Sequence, residues 1–337
     1  MNCNWLVVNL LFHFLIGSHG AQITGQGQGF VGLDDDGNLA LKPPAGRQLV
    51  VDGVVLMKKL ADMEALILQQ RSAIAQLNLI RLDHGLFANI RTVDNTGPGD
   101  VGSLHSFTSL ALTTAGVPVI SYYDATNGDL KLAVCADVAC ASGTTIRTID
   151  STGNVGQFTS LALSTAGFPV VSYWDVTNDD LKLAVCTDAT CSSNTTIRTI
   201  DSTGSVGSQT SLALTTAGFP VISYYDATNG DLKLAVCADV ACASGTIIRT
   251  IDSAGNVGGY TSLALTTAGF PVVSYFDETN DDLKLAVCAD AACSSNTTIR
   301  TIDSTGDVGY YTSLALTAAG FPVISYYNKN GDLKLAP

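Results

Sequence analysis

Charge is scarce in this sequence, and positive charge is scarcest. Of 337 residues, 14% are charged, with 17 Lys+Arg against 30 Asp+Glu and a formal net charge of −13. Without a basic stripe such a chain repels phosphate backbones, which excludes nucleic acid as a partner. Long apolar runs are also missing. The best, Trp5 to Gly17, is short and interrupted by Asn9 and His13, so no segment makes a good bilayer span. Histidine is nearly absent: beyond residue 20 only His84 and His105 remain, which leaves no Ser/His/Asp set and no metal-ligand cluster.

What is present is repetition. The tetrapeptide SLAL begins at Ser109, Ser160, Ser211, Ser262 and Ser313, a spacing of 51 residues each time. A period of that size marks a solenoid, a propeller or an array. Each unit carries four short β signals separated by turn residues, in the first copy Ser109–Thr113, Val117–Asp124, Asp129–Cys135 and Thr145–Asp150. Asn127-Gly128 is a hairpin signal, and Asn178-Asp179 and Asn280-Asp281 stand in its place in the second and fourth copies. Small Ser109 and Ala111 suit a strand crowded against an axis. Pro118 to Tyr123 is apolar on both faces, as expected of a sheet sandwiched between two others.

Four antiparallel strands at this period predict an all-β fold, a five-bladed β-propeller of four-stranded blades over residues 88–337. The region opens on Ile90-Arg91-Thr92-Val93-Asp94, which matches the fourth strand Ile146-Arg147-Thr148-Ile149-Asp150, and it ends at Pro337 on a third strand. The N-terminal strand is therefore expected to complete the last blade and close the ring. An open solenoid or a swapped oligomer is the alternative, and either leaves sheet edges exposed.

Eight of the nine cysteines fall in four C-x4-C pairs, Cys135/Cys140, Cys186/Cys191, Cys237/Cys242 and Cys288/Cys293. Even numbers at fixed spacing predict disulfides and an extracellular setting, whereas zinc would need two pairs brought together or partner histidines. Each bridge is expected to staple the hairpin between the third and fourth strands. Asn194-Thr195-Thr196 and Asn296-Thr297-Thr298 are N-glycosylation sequons.

Ahead of the repeats lie three segments. Residues 1–20 read as a secretory signal peptide with a small-residue cleavage site before Ala21, although its start has no Lys or Arg; an uncleaved anchor is the other reading. Residues 21–53 are Gly- and Asp-rich, with a hairpin pattern at Phe30–Leu33 and Leu39–Lys42. Asp34, Asp36 and Gly37 in its turn suggest calcium, but the further oxygen ligands and closing Glu of an EF-hand are missing, and a solvated turn is the better reading. Residues 54–82 place Leu56, Leu60, Met63, Ile67, Gln70, Ile74 and Leu77 at alternating steps of four and three, an a/d seam. That predicts a coiled-coil helix for self-association, with a single amphipathic helix on the propeller as alternative. Residues 21–82 together resemble the stalks of fibre-like adhesins and phage tail fibres.

Strand parity puts the second-to-third turns and the inter-blade linkers on one face. That face gathers Tyr123, Asp124, Asn127 and Asp129; Trp174, Asp175, Asn178 and Asp180; Tyr225, Asp226, Asn229 and Asp231; Phe276, Asp277, Asn280 and Asp282; and Tyr327, Asn328 and Asp332 in a last copy whose turn is one residue shorter. An aromatic beside Asp and Asn suits a sugar, while the same Asp and Asn also make turns by bonding their own backbone. Lys131 is expected to pair with Asp150 across strands, and Arg147 to be solvated.

Over residues 88–337 the layout resembles five-bladed lectins of the tachylectin family, a likeness of architecture that implies multivalent sugar binding. There is no S-x-D-x-G-x-T-W box of the sialidase type, and near-identical copies offer little to set one carboxylate apart for acid–base work. The expectation is a secreted, non-enzymatic, lectin-like protein that binds glycans or extracellular matrix molecules without a cofactor. A structural component of a fibre or coat is the alternative, and a glycoside hydrolase the third.

Overall fold

The computed structural model describes residues 90–94, 107–141 and 143–337, together with strands at 30–33, 39–42, 50–51 and 54–55. The chain divides into two units, Met1–Asn89 and Ile90–Pro337. In the first, β1 (Phe30–Leu33) pairs antiparallel with β2 (Leu39–Lys42), and β3 (Val50–Val51) with β4 (Val54–Val55). Val54 and Val55 correct the start of the expected helix: β-branched residues flanking Asp52-Gly53 favour a strand pair there. The rest of 54–82, the leader at 1–20 and the Asp34/Asp36/Gly37 turn lie outside the described residues.

The second unit is a chain of antiparallel meanders. The first sheet holds β5 (Thr108–Leu112), β6 (Pro118–Asp124), β7 (Asp129–Val134) and β8 (Thr145–Asp150). The second holds β9 (Val155–Leu163), β10 (Pro169–Asp175), β11 (Asp180–Val185) and β12 (Thr196–Asp201). The third holds β13 (Val206–Leu214), β14 (Pro220–Asp226), β15 (Asp231–Val236) and β16 (Ile247–Asp252). The fourth holds β17 (Val257–Leu265), β18 (Pro271–Asp277), β19 (Asp282–Val287) and β20 (Thr298–Asp303). The fifth has three strands, β21 (Val308–Leu316), β22 (Pro322–Asn328) and β23 (Leu333–Ala336). Among the described residues there is no helix.

Each sheet buries its apolar residues against the next. Leu130 and Leu132 of the first sheet meet Val155, Leu161, Val171 and Tyr173 of the second, and the same positions recur at each following interface. The innermost strands β5, β9, β13, β17 and β21 stand side by side. Ser109, Ser160, Ser211 and Ser262 each accept at 3.0 Å from a backbone N–H of the next innermost strand. This is why SLAL begins with a small hydroxyl residue. Sheets also approach closely at Gly207 of β13, where an added Cβ would lie 2.5 Å from Leu181 Cα of β11 and where φ is +97°. Only glycine fits both demands. All-β sheets of this kind, repeated and packed face to face in chain order, are the architecture of a β-propeller.

A polar clasp joins each sheet to its predecessor. Asp150, closing β8, accepts from Tyr173 Oη at 2.7 Å and Lys182 Nζ at 2.7 Å, both in the second sheet. Asp201 holds Tyr224 at 2.7 Å and Lys233 at 2.5 Å, and Asp252 holds Tyr275 at 2.7 Å and Lys284 at 2.6 Å. Asp303 repeats this with Tyr326 and Lys334. The expected Lys131–Asp150 pair is corrected by this pattern. Leu130 and Leu132 face forward into the second sheet, so Lys131 between them faces back, to Asp124 at 2.8 Å and Asp94 at 3.6 Å. Arg147, expected to be solvated, is exposed.

The four cysteine pairs form their disulfides as expected: Cys135–Cys140, Cys186–Cys191, Cys237–Cys242 and Cys288–Cys293, with Cα–Cα distances of 4.9–5.0 Å. What encloses them differs from the simple hairpin expected. The third strands stop at Val134 and its counterparts, one residue before the first cysteine. The second cysteine of each pair, Cys140, Cys191, Cys242 or Cys293, has left-handed backbone with φ of +46° to +47°. Its N–H donates to the carbonyl of Asp137, Asp188, Asp239 or Asp290 at 3.1–3.3 Å, closing a tight turn inside the bridge. The spacing showed the pairing but not this conformation, since C-x4-C is silent on the sign of φ. Nor are the four bridges equally placed. Cys186–Cys191, Cys237–Cys242 and Cys288–Cys293 pack into the cores between successive sheets, whereas Cys140 on the first sheet is only partly buried.

The N-terminal match to a fourth strand is not realised as one. Residues 90–94 carry no strand, Ile90 is fully exposed, and β23 has no outer partner among the described residues. Leu110 and Leu112 on the first sheet and Leu333 and Leu335 on the fifth are also exposed, 59–69%, where the equivalent Leu161 and Leu283 are buried.

Candidate active site

The turn joining the second and third strands of each sheet consumes the polar side chains singled out in the sequence. Asp124 Oδ1 accepts from the Thr126 and Asn127 amides, and its Oδ2 takes Asn127 Nδ2 at 2.9 Å and Lys131 at 2.8 Å. Asp175 with Asn178, Asp226 with Asn229 and Asp277 with Asn280 repeat the bonds within the turn, and all four aspartates are 1% exposed. In the last copy Asn328 takes over, donating to Asp332 Oδ2 at 2.8 Å. Asp129, Asp180, Asp231 and Asp282 face those turn aspartates across the strand pair. Burial raises their carboxyls, and the neighbouring Asp charge adds to it.

The aromatic positions differ from copy to copy. Tyr123 and Tyr225 donate to the linker Asn154 and Asn256, at 2.7 and 2.5 Å. Trp174 leaves its indole N–H buried without a partner, Phe276 has nothing to donate, and Tyr327 is exposed. Tyr225 and Phe276 are the two predicted positions that the structure brings into a cleft.

That cleft, about 400 Å³, spans the third, fourth and fifth sheets on the turn-and-linker face. Its carboxylates are Glu278 and Asp281 of the β18–β19 turn and Asp307 of the β20–β21 linker. Its rings are Tyr225, Tyr260, Phe276 and Tyr310, with Gln209, Gly259 and Lys329 completing the wall. A volume in this range, lined by rings with a few convergent polar groups, is that of a small-molecule site.

The repeat is broken here. Glu278 stands where other copies have Ala125, Val176, Ala227 and Lys329, and Asp307 where they have Asn154, Ser205 and Asn256. Because Phe276 replaces the donor tyrosine, Asp307 Oδ1 is buried with no protein partner. Its Oδ2 is bound by Lys329 at 2.9 Å. The Lys329 ammonium and the Tyr310 hydroxyl hold the Asp307 carboxyl below the ordinary carboxylate range. The same bond to Asp307, with burial, pushes Tyr310 up to about 12. Asn256 Nδ2 donates to Glu278. Burial raises Tyr225, and the Glu278 charge adds to the shift. Burial and the neighbouring Tyr311 push Tyr260 up to about 12.

Glu278, Asp307, Tyr260, Tyr310, Gln209 and Lys329 were not singled out by the sequence reading, and Asp281 was read only as a turn residue. The signal that marks most of them is departure from the repeat, which a search for what the copies share passes over.

The class the fold defines is a β-propeller with a carboxylate-rich cleft on one face. No protein-family model and no curated protein matches the sequence. Among solved structures, the chain is similar to an α-L-arabinofuranosidase from Lactobacillus brevis (10% identity, 69% of this chain and 90% of that one, TM-score 0.42). It is similar also to an endo-arabinase from Bacteroides thetaiotaomicron (14% identity, 70% and 95%, TM-score 0.42) and to a Hadza microbial sialidase (11% identity, 70% and 57%, TM-score 0.47).

The expectation of a non-enzymatic, lectin-like protein, or of a fibre component, is corrected. The matched structures include several glycoside hydrolases. The structural reason lies in the turns: equivalent sites were expected from Asp124 and its counterparts, and those carboxylates are internal and already bonded.

Proposed function

We propose that this chain is a carbohydrate-active enzyme, a glycoside hydrolase working in the cleft of Glu278, Asp281 and Asp307. The observation that carries the reading is the convergence of three carboxylates with four aromatic rings where the repeats diverge. Glycoside hydrolysis uses two carboxyl groups in unlike surroundings. Asp307 has a lysine on one oxygen and a free lone pair on the other, which suits a base kept ionised. Glu278 has no cation partner among the described residues and serves as the acid. In the reaction Glu278 protonates the glycosidic oxygen as its bond to the anomeric carbon breaks. Water adds to that carbon and gives its proton to Asp307. The rings supply apolar faces for the sugar, and Asp281 a hydroxyl acceptor.

The experiment is reducing-end release from neutral oligosaccharides and polysaccharides by the full chain. Asp281→Asn is expected to lower turnover about tenfold or more. Asp179→Asn, the same loop position in the second sheet, is expected to leave it unchanged. Equal effects of the two would remove the cleft as the working site.

The fold belongs to the same proposal: the five sheets close into a five-bladed ring, with residues 90–94 taking the place of a fourth strand beside β23. Asp94 supports this, since it holds Tyr122 at 2.5 Å and Lys131 in the manner of the other clasp aspartates. So do the exposed leucines on the first and fifth sheets, which are cognate halves of one interface. Amide hydrogen exchange at 91–93 should then be as slow as in β8, and free exchange there would exclude the closure. The disulfides support an extracellular location, where Asn194 and Asn296, both exposed, would accept glycans. Residues 56–82, following β4, remain the proposed self-association element.

A further inference from the structure

The innermost strands β9, β13, β17 and β21 each carry an irregularity, three of them beside the cleft. In β13, Ser208 pairs with Tyr225 and Ser211 with Ser223, so Gln209 and Thr210 together oppose Tyr224 alone. The same bulge recurs in β9, β17 and β21. One residue of each bulge is left-handed: Phe158 at φ +52°, Gln209 at +54°, Tyr260 at +51° and Tyr311 at +52°. Glycine or asparagine takes that conformation at little cost, whereas a bulky side chain there is strained by roughly 1–3 kcal/mol. The backbone therefore calls for a small residue. The sequence instead puts a ring at three of the four positions.

Burial does not account for the ring at position 311. Tyr311 is 68% exposed, and its ring lies 4.4 Å from that of Tyr260, centroid to centroid. Tyr260 in turn lies 5.7 Å from Tyr310 and 6.1 Å from Phe276, so a continuous run of rings leads from solvent into the cleft. Bulges next to active sites commonly re-aim a side chain.

We propose that Tyr311, backed by Tyr260, is a specificity-determining residue that stacks on a sugar ring outside the cleft, making the enzyme selective for oligosaccharides over single glycosides. This rests on the hydrolase reading above. A ring held by the bulge contacts the part of the substrate remote from the bond that breaks. Its contribution is felt in substrate binding and only when the substrate is long enough to reach it.

The test compares 4-nitrophenyl monoglycosides with neutral disaccharides to hexasaccharides of xylose, galactose and glucose, using the full chain and its Tyr311→Phe and Tyr311→Gly variants. Tyr311→Gly is expected to raise KM about tenfold for the longer substrates, with kcat and the monoglycoside kinetics little changed, and Tyr311→Phe to retain wild-type values. The Gly variant should also keep or raise Tm, because it removes strain at a positive φ. A merely structural tyrosine would lower Tm instead and leave KM alone. Equal changes on long and short substrates would overturn the inference while leaving the hydrolase intact. Failure of the wild-type chain both to hydrolyse these substrates and to bind them, measured by affinity electrophoresis with Glu278→Gln alongside, would overturn the hydrolase reading and this inference with it.

Discussion

Glu278→Gln is expected to reduce kcat about 10²–10⁴-fold, the range associated with loss of a positioned general acid. The substitution keeps the side chain's shape and an oxygen able to accept from Asn256, so the cleft should hold its geometry and Tm should stay near wild type. What is lost is the proton for the leaving oxygen. A substrate with a good leaving group, such as a dinitrophenyl glycoside, needs that proton least and should recover much of the rate. A uniform loss on all leaving groups would assign Glu278 to binding instead. The partner residue has its own signature. Lys329 and Tyr310 keep Asp307 ionised at acidities where an ordinary carboxylate begins to protonate. Lys329→Met should therefore move the acid limb of the kcat/KM profile upward in pH, toward the unperturbed aspartate value of about 4.

The second large effect concerns stability. Asp201→Asn is expected to destabilise the protein by about 3–5 kcal/mol, measured by urea unfolding, because it leaves the Lys233 ammonium buried without its anion. Lys233 also lies 3.6 Å from Asp226, which is why the lower end of that range is the better expectation. Adding Lys233→Met should restore part of the loss, since the two residues share one interaction. The clasps also set the pH response. Burial acts to raise Asp150, Asp201 and Asp252, but lysine, tyrosine and backbone N–H donors outweigh it and hold all three low. Their contribution is complete above the unfolded carboxylate value of about 4 and is lost as pH falls through the lowered folded values. Tyr173, Tyr224 and Tyr275 are strongly raised, chiefly by burial. They favour the folded state below about pH 10, and that contribution declines as pH rises beyond it. The clasp contribution should thus hold from about pH 4 to 10, with an acid edge steepened by the loss of several clasps together. That edge is opposed by Asp129, Asp180, Asp231 and Asp282, whose raised carboxyls favour the folded state below about pH 4. A shallow acid edge would mean that the clasps contribute little.

Much of the fold was legible because the repeat reports the same physics in every copy. Pro118-Val119-Ile120-Ser121-Tyr122-Tyr123 has no polar face, which requires cover on both sides, and the sandwiched sheets provide it. The small residues of SLAL pointed to crowded innermost strands, and Ser160 with its counterparts bridges them. The cysteine spacing predicted local bridges, and those formed. It did not reveal the left-handed backbone at Cys140, Cys191, Cys242 and Cys293, because that is set by the turn each aspartate carbonyl closes.

The site was less legible. Asp124 and Asn127 look alike in sequence whether they bind a ligand or each other; the Oδ2–Nδ2 bond at 2.9 Å distinguishes the two. Lys131 was assigned to the wrong aspartate because local order in sequence does not say which sheet a side chain faces. Glu278 and Asp307, far apart in the chain, meet only because one turn and the following linker share a face.

The sequence by itself determined the repeat, its strands, its bridges and the absence of a basic or helical character in the repeated region. These follow from composition and period, which act locally and identically in each copy. Only the tertiary structure decided which carboxylates are spent on turns and clasps and which remain available in the cleft. That choice depends on packing between neighbouring sheets, where one substitution, Phe276 for tyrosine, leaves an oxygen of Asp307 unpaired.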